Sequence, residues 1–555
     1  MTAPKYRNQS LMLLRRVGVA ALAMTVLVGC KKVRAKYVPG AVAQVRGLSM
    51  ADVKAAIAAR LDSAKAPSWV AADRWTRVKG LYRVFGNAPL WLEADGVKER
   101  GDALLKAIEL APTHALATGA YPLDSIKTVV NSDNVVKTAT AQALADADVL
   151  LTAAYVAYAS DMLIGQVDPK TTSQAWHIPA QLNEVDSALV RTLQSPSMEE
   201  GLTEMAPQDS AYQVLKTSYA NYEAISKAGG WPSISHTGAG RLDSLKKRLA
   251  IEGYFADSAP AGAAPTAGNA KPGPALTAAL KLFQERHGLT PTGLLGKGTV
   301  EALNVPVTER VQQLASNLER QRWLPRSLGS RYIYVNVPSF RLEAYDSGQK
   351  KLEMKVVVGS EYPGKQTPVF SDSMEFVVFR PYWNVTDEIA AKEIFPKISA
   401  DPGYLDRGNY ELYRDHGKQR VRQKPGGKNS LGLVKFMFPN DFNIYLHDTP
   451  AKALFANTDR AASHGCIRLE HPDQMAEFVL GWPADRVRES METGGDNRTV
   501  NLPKKIPVYI VYFTTYDRDG QLFFADDLYG RDDALERQVG DSSGKADTSQ
   551  HQKRP

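Results

Sequence analysis

The sequence predicts a multidomain α+β protein: a helical scaffold, a small three-helix unit and a β-rich C-terminal domain that carries an inserted segment. Three observations point there. The chain has 555 residues, more than one hydrophobic core serves, so roughly two to four domains are expected. Apolar residues recur at three- and four-residue intervals as far as about residue 230. Beyond about residue 330 the texture changes to short β-branched and aromatic runs bounded by Gly, Pro and Asp.

In chain order, residues 1–30 read as a targeting segment rather than as part of the fold. Lys5, Arg7, Arg15 and Arg16 precede the apolar run Val17 to Val28, which is shorter than the roughly 20 residues a spanning helix needs. The run ends in Leu27-Val28-Gly29-Cys30, which resembles the lipobox of bacterial lipoproteins. That resemblance implies cleavage before Cys30, acylation of its sulfur and a stable membrane anchor, the outer membrane being favoured by Lys31 and Lys32. A plain signal peptide or an uncleaved anchor is the alternative. The chain has two cysteines, so lipidation of Cys30 leaves Cys466 as a single exported thiol without a disulfide partner.

Residues 31 to about 45 read as a polar tether. The stretch 45–235 reads as a helical scaffold, with helices over Ala51–Leu61, Ala141–Ser160 and Tyr212–Ile225; its carboxylates and tyrosines are taken as solvated faces and core. Residues 236–306 form the small unit. Leu242, Leu245 and Leu249 stripe one helix, Leu276, Leu280 and Phe283 a second, and Thr299–Leu303 is a short third. An Ala/Pro/Gly-rich loop, Ser258 to Pro274, separates the first two. A linker helix within 307–328 leads to the β-rich domain, 329–530. Its strands are expected at Tyr332–Val337, Arg341–Tyr345, Met354–Val358, Phe376–Phe379, Phe442–Leu446 and Val508–Phe513. The pattern breaks into helix and loop at about 386–426, and the polar tail 531–555 reads as disordered.

The net charge of +8 is spread along the chain and suits acidic polymers in general. No nucleic-acid module, HExxH motif or paired-cysteine metal site is present in the sequence, so neither nucleic acid nor a metal or organic cofactor is expected.

The segment from Ile444 to Pro472 carries the chemistry. A strand delivers His447, and a polar stretch leads to Ser463-His464-Gly465-Cys466-Ile467-Arg468. A thiol attacks as thiolate, and a free cysteine has a pKa of roughly 8.5, so a nearby imidazole is needed to take its proton. Gly465 lets backbone amides approach a developing oxyanion. His464, two residues before the thiol on a tight turn, does not easily reach it.

SHGC followed by Ile and Arg, with an upstream His, resembles the signature of the YkuD-type L,D-transpeptidase domain. "PYWNVTDEIAAKEIFPKI", "YLHDTP" and "IPVYIVYFTTYDRDGQLFFADDLYGRD" extend the resemblance to the large YcbB-like branch, and "LKLFQERHGLTPTGLLGKGTVEALN" resembles the three-helix peptidoglycan-binding domain, with Thr292 where that pattern has an acidic residue. The resemblance implies Cys466 as nucleophile and His447 as base, oriented by a backbone carbonyl that Asp448 could supply; an Asp448 side chain completing a triad is the alternative. It implies an oxyanion hole at the amides of Gly465 and Cys466, and Arg468 holding a substrate carboxylate or bracing the loop. Ser463 is a motif residue that either meets substrate or supports the loop. Tyr445 shares the face of His447 and lines the site, and Trp383 faces substrate or belongs to the core. The insertion is expected to be a lid over a donor peptide. The implied reaction is 3→3 cross-linking of peptidoglycan stem peptides through a thioester, with the glycan and other wall synthases as partners and carbapenems as acylating inhibitors. Alternatives are an L,D-carboxypeptidase or wall-protein amidase using the same thioester, and a non-catalytic wall-binding scaffold.

Overall fold

The computed structural model describes residues 36–63, 65–94, 96–131, 140–173, 175–235, 237–238, 240–255 and 272–542. The targeting segment, Cys30 and most of the Ala/Pro/Gly-rich loop lie outside them.

The N-terminal region is helical and organised around one helix, Ala141–Ile164. It is apolar and long enough to cross a bilayer by composition alone, yet most of it is buried inside the protein. Thr140 caps its start by accepting the Ala143 N–H at 3.1 Å. Its alanines let Met50–Ser63 and Ala72–Val84 pack closely, forming one continuous core with Trp91, Tyr155 and Leu189. Two carboxylates depart from the expected solvated faces: Asp148 and Asp161 on this helix are both fully buried. Asp148 accepts from the Tyr82 hydroxyl at 2.5 Å and from the amides of Leu90 at 3.0 Å and Trp91 at 2.9 Å. Burial still pushes its pKa up to about 6. Asp161 binds Arg74 at 2.5 Å and the Tyr121 hydroxyl at 2.6 Å. These groups fasten the helices around the central one.

The tether also departs from expectation beyond residue 36. Tyr37 lies under the Arg100 guanidinium at 3.9 Å, and the short strands β1 (Gln44–Val45) and β2 (Leu48–Ser49) bury Val45. The described end of the tether is therefore part of the scaffold.

The small unit comprises Arg241–Ile251, Pro274–Arg286 and Lys297–Asn304 around Leu245, Leu249, Leu276, Leu280, Phe283 and Leu303. Gln284 ties its turn by donating to the Leu294 carbonyl at 2.9 Å and accepting the Gly293 N–H at 2.7 Å. It is seated on the C-terminal domain through His287, whose ring stacks 4.9 Å from Phe524.

Linker helix Val307–Arg322 lies between the scaffold and the C-terminal domain and is buried along most of its length. The central scaffold helix ends against it at Gly165, whose φ is +88°; a Cβ there would collide with Glu319 and Trp323.

The C-terminal domain is a nine-stranded sheet: β3 (Arg331–Asn336), β4 (Arg341–Asp346), β5 (Gln349–Gly359), β6 (Phe370–Phe379), β10 (Val434–Met437), β11 (Leu446–His447), β12 (Ala461–Ser463), β13 (Ile467–Leu469) and β14 (Arg498–Val511). The order is β12-β5-β13-β11-β10-β6-β14-β3-β4, and β4 pairs back onto β5, so the sheet closes on itself. Alternation places Ile333, Val335, Val356, Val377, Phe436, Leu446, Ile467 and Ile510 in its interior. The expected strand at Phe442–Leu446 starts only at Leu446; Asn443 before it adopts φ +55°, which turns the chain.

The insertion contains more than helix and loop. β7 (Trp383–Asn384), β8 (Tyr410–Asp415) and β9 (Lys418–Gln423) form a three-stranded sheet under helical turns from Asp387 to Ala400, with a π-helical turn at Ala390–Ile394. Val385, Ala390, Ile394, Tyr410 and Val421 give it a core of its own. The tail is also corrected in part: Asp532–Ser542 is a helix, docked by an Arg320–Asp532 ion pair at 2.5 Å and by buried Leu535. Residues 543–555 lie outside those described.

Candidate active site

Pairing register brings the chemistry together. β11 runs parallel to β13 with His447 opposite Arg468, and antiparallel to β10 with His447 opposite Lys435. Residues paired across strands share a face, as do residues two apart along one strand. His447, Arg468 and Lys435 therefore face the same side, with Tyr445 two before His447 and Cys466 two before Arg468. The Tyr445 and His447 rings are 5.7 Å apart, and the Lys435 ammonium lies 5.6 Å from the Tyr445 ring centroid.

His447 is buried, and its Nδ1 lies 2.5 Å from the Asp448 backbone oxygen. An Nδ1–H donated to that carbonyl leaves Nε2 as the ring's acceptor. The Asp448 carboxylate is turned elsewhere: it accepts the Leu433 amide at 2.8 Å and the Thr449 amide at 2.7 Å, and pairs with Lys452 at 2.8 Å. Orientation of the ring thus comes from the Asp448 main chain, and no carboxylate accepts from it among the described residues.

Cys466 is half-buried, and its thiol donates to the Asn443 carbonyl at 3.6 Å; no Cys466–His447 hydrogen bond is present among the described residues. Burial pushes the thiol up to about 11, against Tyr445, Arg468 and Lys435, which favour the thiolate. Burial lowers His447 to about 3, helped by the positive charges of Arg468 and Lys435 and opposed by the Asp448 carbonyl. The resting pair is therefore neutral thiol and neutral imidazole, not a thiolate–imidazolium pair.

The motif loop is braced internally. Ser463 Oγ donates to the Cys466 carbonyl at 2.6 Å and accepts the Gly465 N–H at 3.1 Å. Both hydrogen bonds of the Ser463 hydroxyl are thus within the loop, and the Gly465 amide expected at the oxyanion hole is engaged by that hydroxyl. Gly465 has φ +110°, and a Cβ there would press on Ile444 at 3.0 Å. His464 turns outward, with Nε2 2.7 Å from Glu393 on the insertion's π-helical turn, and Lys365 reaches Glu393 at 3.7 Å. The insertion is thereby latched to the loop that carries Cys466. Trp383 packs partly buried against the insertion's own core, its ring 6.4 Å from that of Tyr410.

Arg468 has no carboxylate partner among the described residues, and its Nε is buried without a hydrogen bond. Lys435 was not singled out in the sequence. Its only available signal was the alternation of β10, where Val434 and Phe436 point inward and Lys435 outward.

Comparison with known families agrees with this architecture. Residues 330–510 match the YkuD family, described as "L,D-transpeptidase catalytic domain". Residues 76–218 match a family described as "Scaffold domain", and residues 240–303 one described as "Putative peptidoglycan binding domain". A Haemophilus influenzae protein described as "Putative L,D-transpeptidase" is 33% identical over 243 residues, which are 40% of this chain and 48% of that protein. The chain thus spans about half the length of that relative. Among solved structures, an L,D-transpeptidase from Xylanimonas cellulosilytica is 16% identical, covering 51% of this chain and 97% of that one, at a TM-score of 0.16. An avibactam carbamoyl enzyme named Ldtfm is 14% identical, covering 34% of this chain and 51% of that one, at a TM-score of 0.15. In chain order, then, three segments of this protein are similar to a scaffold domain, a peptidoglycan-binding-type domain and the L,D-transpeptidase catalytic domain of the YkuD family, the last falling on the closed β-rich domain.

Proposed function

We propose that this protein is a peptidoglycan L,D-transpeptidase that forms 3→3 cross-links through a thioester on Cys466. The observation that carries the reading is the convergence of Cys466 and an oriented His447 on one face of adjacent strands, within the residues that match the catalytic domain. Cys466 loses its proton to His447 Nε2 as sulfur attacks the carbonyl of the third stem residue of a tetrapeptide. The C–N bond to the terminal D-Ala breaks, and the imidazolium returns the proton to the leaving amine. A side-chain amine of a second stem then attacks the thioester. The C–S bond breaks, a new amide forms, and the amine's proton passes by way of the imidazole to the sulfur. The insertion acts as a lid that disfavours water as acceptor. The chemistry as written needs no metal or organic cofactor, and a β-lactam of the carbapenem class acylates the same sulfur.

The chain's place is the periplasm, where the wall lies, with Cys30 lipidated and the anchor in the outer membrane. The small three-helix unit holds the catalytic domain near the glycan.

The test is to incubate the chain beginning just after Cys30 with purified disaccharide-tetrapeptide and weigh the products, with Cys466→Ala alongside. A dimer lacking one D-Ala, absent with the variant, supports the reading. Tripeptide without dimer makes the protein a carboxypeptidase or an amidase with another acceptor. No release of D-Ala leaves a wall-binding scaffold.

A further inference from the structure

Lys435 and Arg468 are two cations on the face that carries the candidate nucleophile, and neither has an anion to answer it. Both are half-buried. Neither forms an ion pair among the described residues, and the one negative charge either senses is that of an ionised Cys466. Burial lowers both away from their ordinary values, a cost that a paired surface lysine or arginine does not meet. The Arg468 Nε is buried without an acceptor, and the Lys435 ammonium rests over the Tyr445 ring. Half-buried cations without an anion carry a desolvation cost that no ion pair offsets, so their retention beside a reactive thiol points to an anion that arrives with the substrate.

We propose that Lys435, together with Arg468, binds a carboxylate of the donor stem next to the scissile bond, making Lys435 a specificity-determining residue for the donor. This rests on the transpeptidase reading above. In a tetrapeptide donor the terminal carboxylate carbon lies within about 4 Å of the scissile carbonyl carbon, so a cation on the face of Cys466 reaches it. One further residue would carry that carboxylate about 3.3–3.6 Å beyond. The same cations suit a carboxylate on the third residue's side chain. Lys435 supplies a compact point charge and Arg468 a planar fork, a combination that fits one carboxylate approached from two sides. Carboxylate binding also relieves the repulsion that Arg468 and Lys435 exert on a protonated His447.

The experiment compares three disaccharide-tetrapeptide donors: unmodified, amidated at the C-terminus, and amidated on the third-residue side chain. D-Ala (or its amide) released is quantified with wild type, Lys435→Met and Lys435→Arg. With wild type, one amidated donor is expected to lose roughly 10- to 100-fold in kcat/KM, which identifies the carboxylate that is read. Lys435→Met should lose a similar factor on the unmodified donor and little more on that amidated donor, while Lys435→Arg recovers part of the loss. Equal use of all three donors by wild type overturns the inference and leaves the transpeptidase reading standing. So does an equal loss on every donor in Lys435→Met, the mark of a merely structural lysine. Wild type inert on all three overturns both.

Discussion

At the residue scale, the neutral resting pair sets what titrates. Alkylation of Cys466 by iodoacetamide should be slow at neutral pH and rise toward an apparent pKa of about 11. A titration centred below about 8 would contradict burial as the controlling cause. Because His447 is lowered to about 3, the unfolded chain binds a proton near its ordinary 6.5 that the folded site refuses. The stability this withholds is fully present above that ordinary pKa and is lost progressively as pH falls toward about 3. Urea unfolding should therefore show part of the acid destabilisation between those values removed in His447→Gln. Activity should separate the two roles of the neighbouring aspartate. Asp448→Asn keeps the carbonyl that orients His447, so kcat/KM should fall less than about 10-fold, whereas a triad aspartate would cost about 10⁴-fold. The lost amide acceptor and Lys452 pairing should still lower stability by about 1–2 kcal/mol, read from the urea midpoint.

At the scale of elements, the Glu393 carboxylate joins the insertion to the loop that carries Cys466. Glu393 is held below its ordinary pKa by its hydrogen bond to His464, with the charges of His464, Lys365 and Lys397 adding to it. A lowered carboxyl contributes its contact above its unperturbed pKa near 4.5 and loses it as pH falls through the lowered value. Hydrogen exchange over Asp387–Ala400, corrected for intrinsic rate, should lose protection as pH falls below that range, and Glu393→Gln should abolish the dependence. Unchanged protection in both would show that the insertion is held by its strands alone. The limit of sequence reading is visible here. The signature loop announced its thiol, but residues 410–423 alternate charge and aromatics too evenly to be told from loop, because their buried face is only the insertion's small core. Lys435 escaped notice because a lysine on a half-exposed strand reads as solvent-facing; only the register opposite His447 makes it part of the site.

At the scale of the whole molecule, Glu319 and Arg322 hold the scaffold to the linker helix. The buried Glu319 carboxylate accepts the Val167 amide at 2.8 Å and binds Arg322 at 2.6 Å, while Arg322 also donates to the His114 carbonyl at 2.9 Å. Glu319→Ala strands a buried guanidinium and should cost about 3–5 kcal/mol, seen as a lower unfolding midpoint. The same change should loosen the scaffold from the catalytic domain, read as faster proteolysis at the linker. A second join is main-chain: residues 175–177 pair with Val369 through amides at 2.8 Å and 2.7 Å, and Trp176 meets Trp323 edge-on at 4.8 Å. The scaffold is thus an integral support of the strand that enters the catalytic sheet.

The sequence by itself determined the domain order, the helical periodicity of the scaffold, the three-helix unit and the loop bearing Cys466, because each is written in local spacing or in a long contiguous motif. The tertiary structure decided what depends on partners distant in the chain. It turned the Asp448 side chain away from His447, engaged the Gly465 amide with Ser463, packed Trp383 partly buried against the insertion's core and drew 532–542 onto Arg320. It also set Lys435 and Arg468 on either side of His447, with no ion-pair partner for either among the described residues. Hydrogen-bond choice and charge pairing are settled by which groups burial leaves within reach, and that is fixed only when the strands have taken their register.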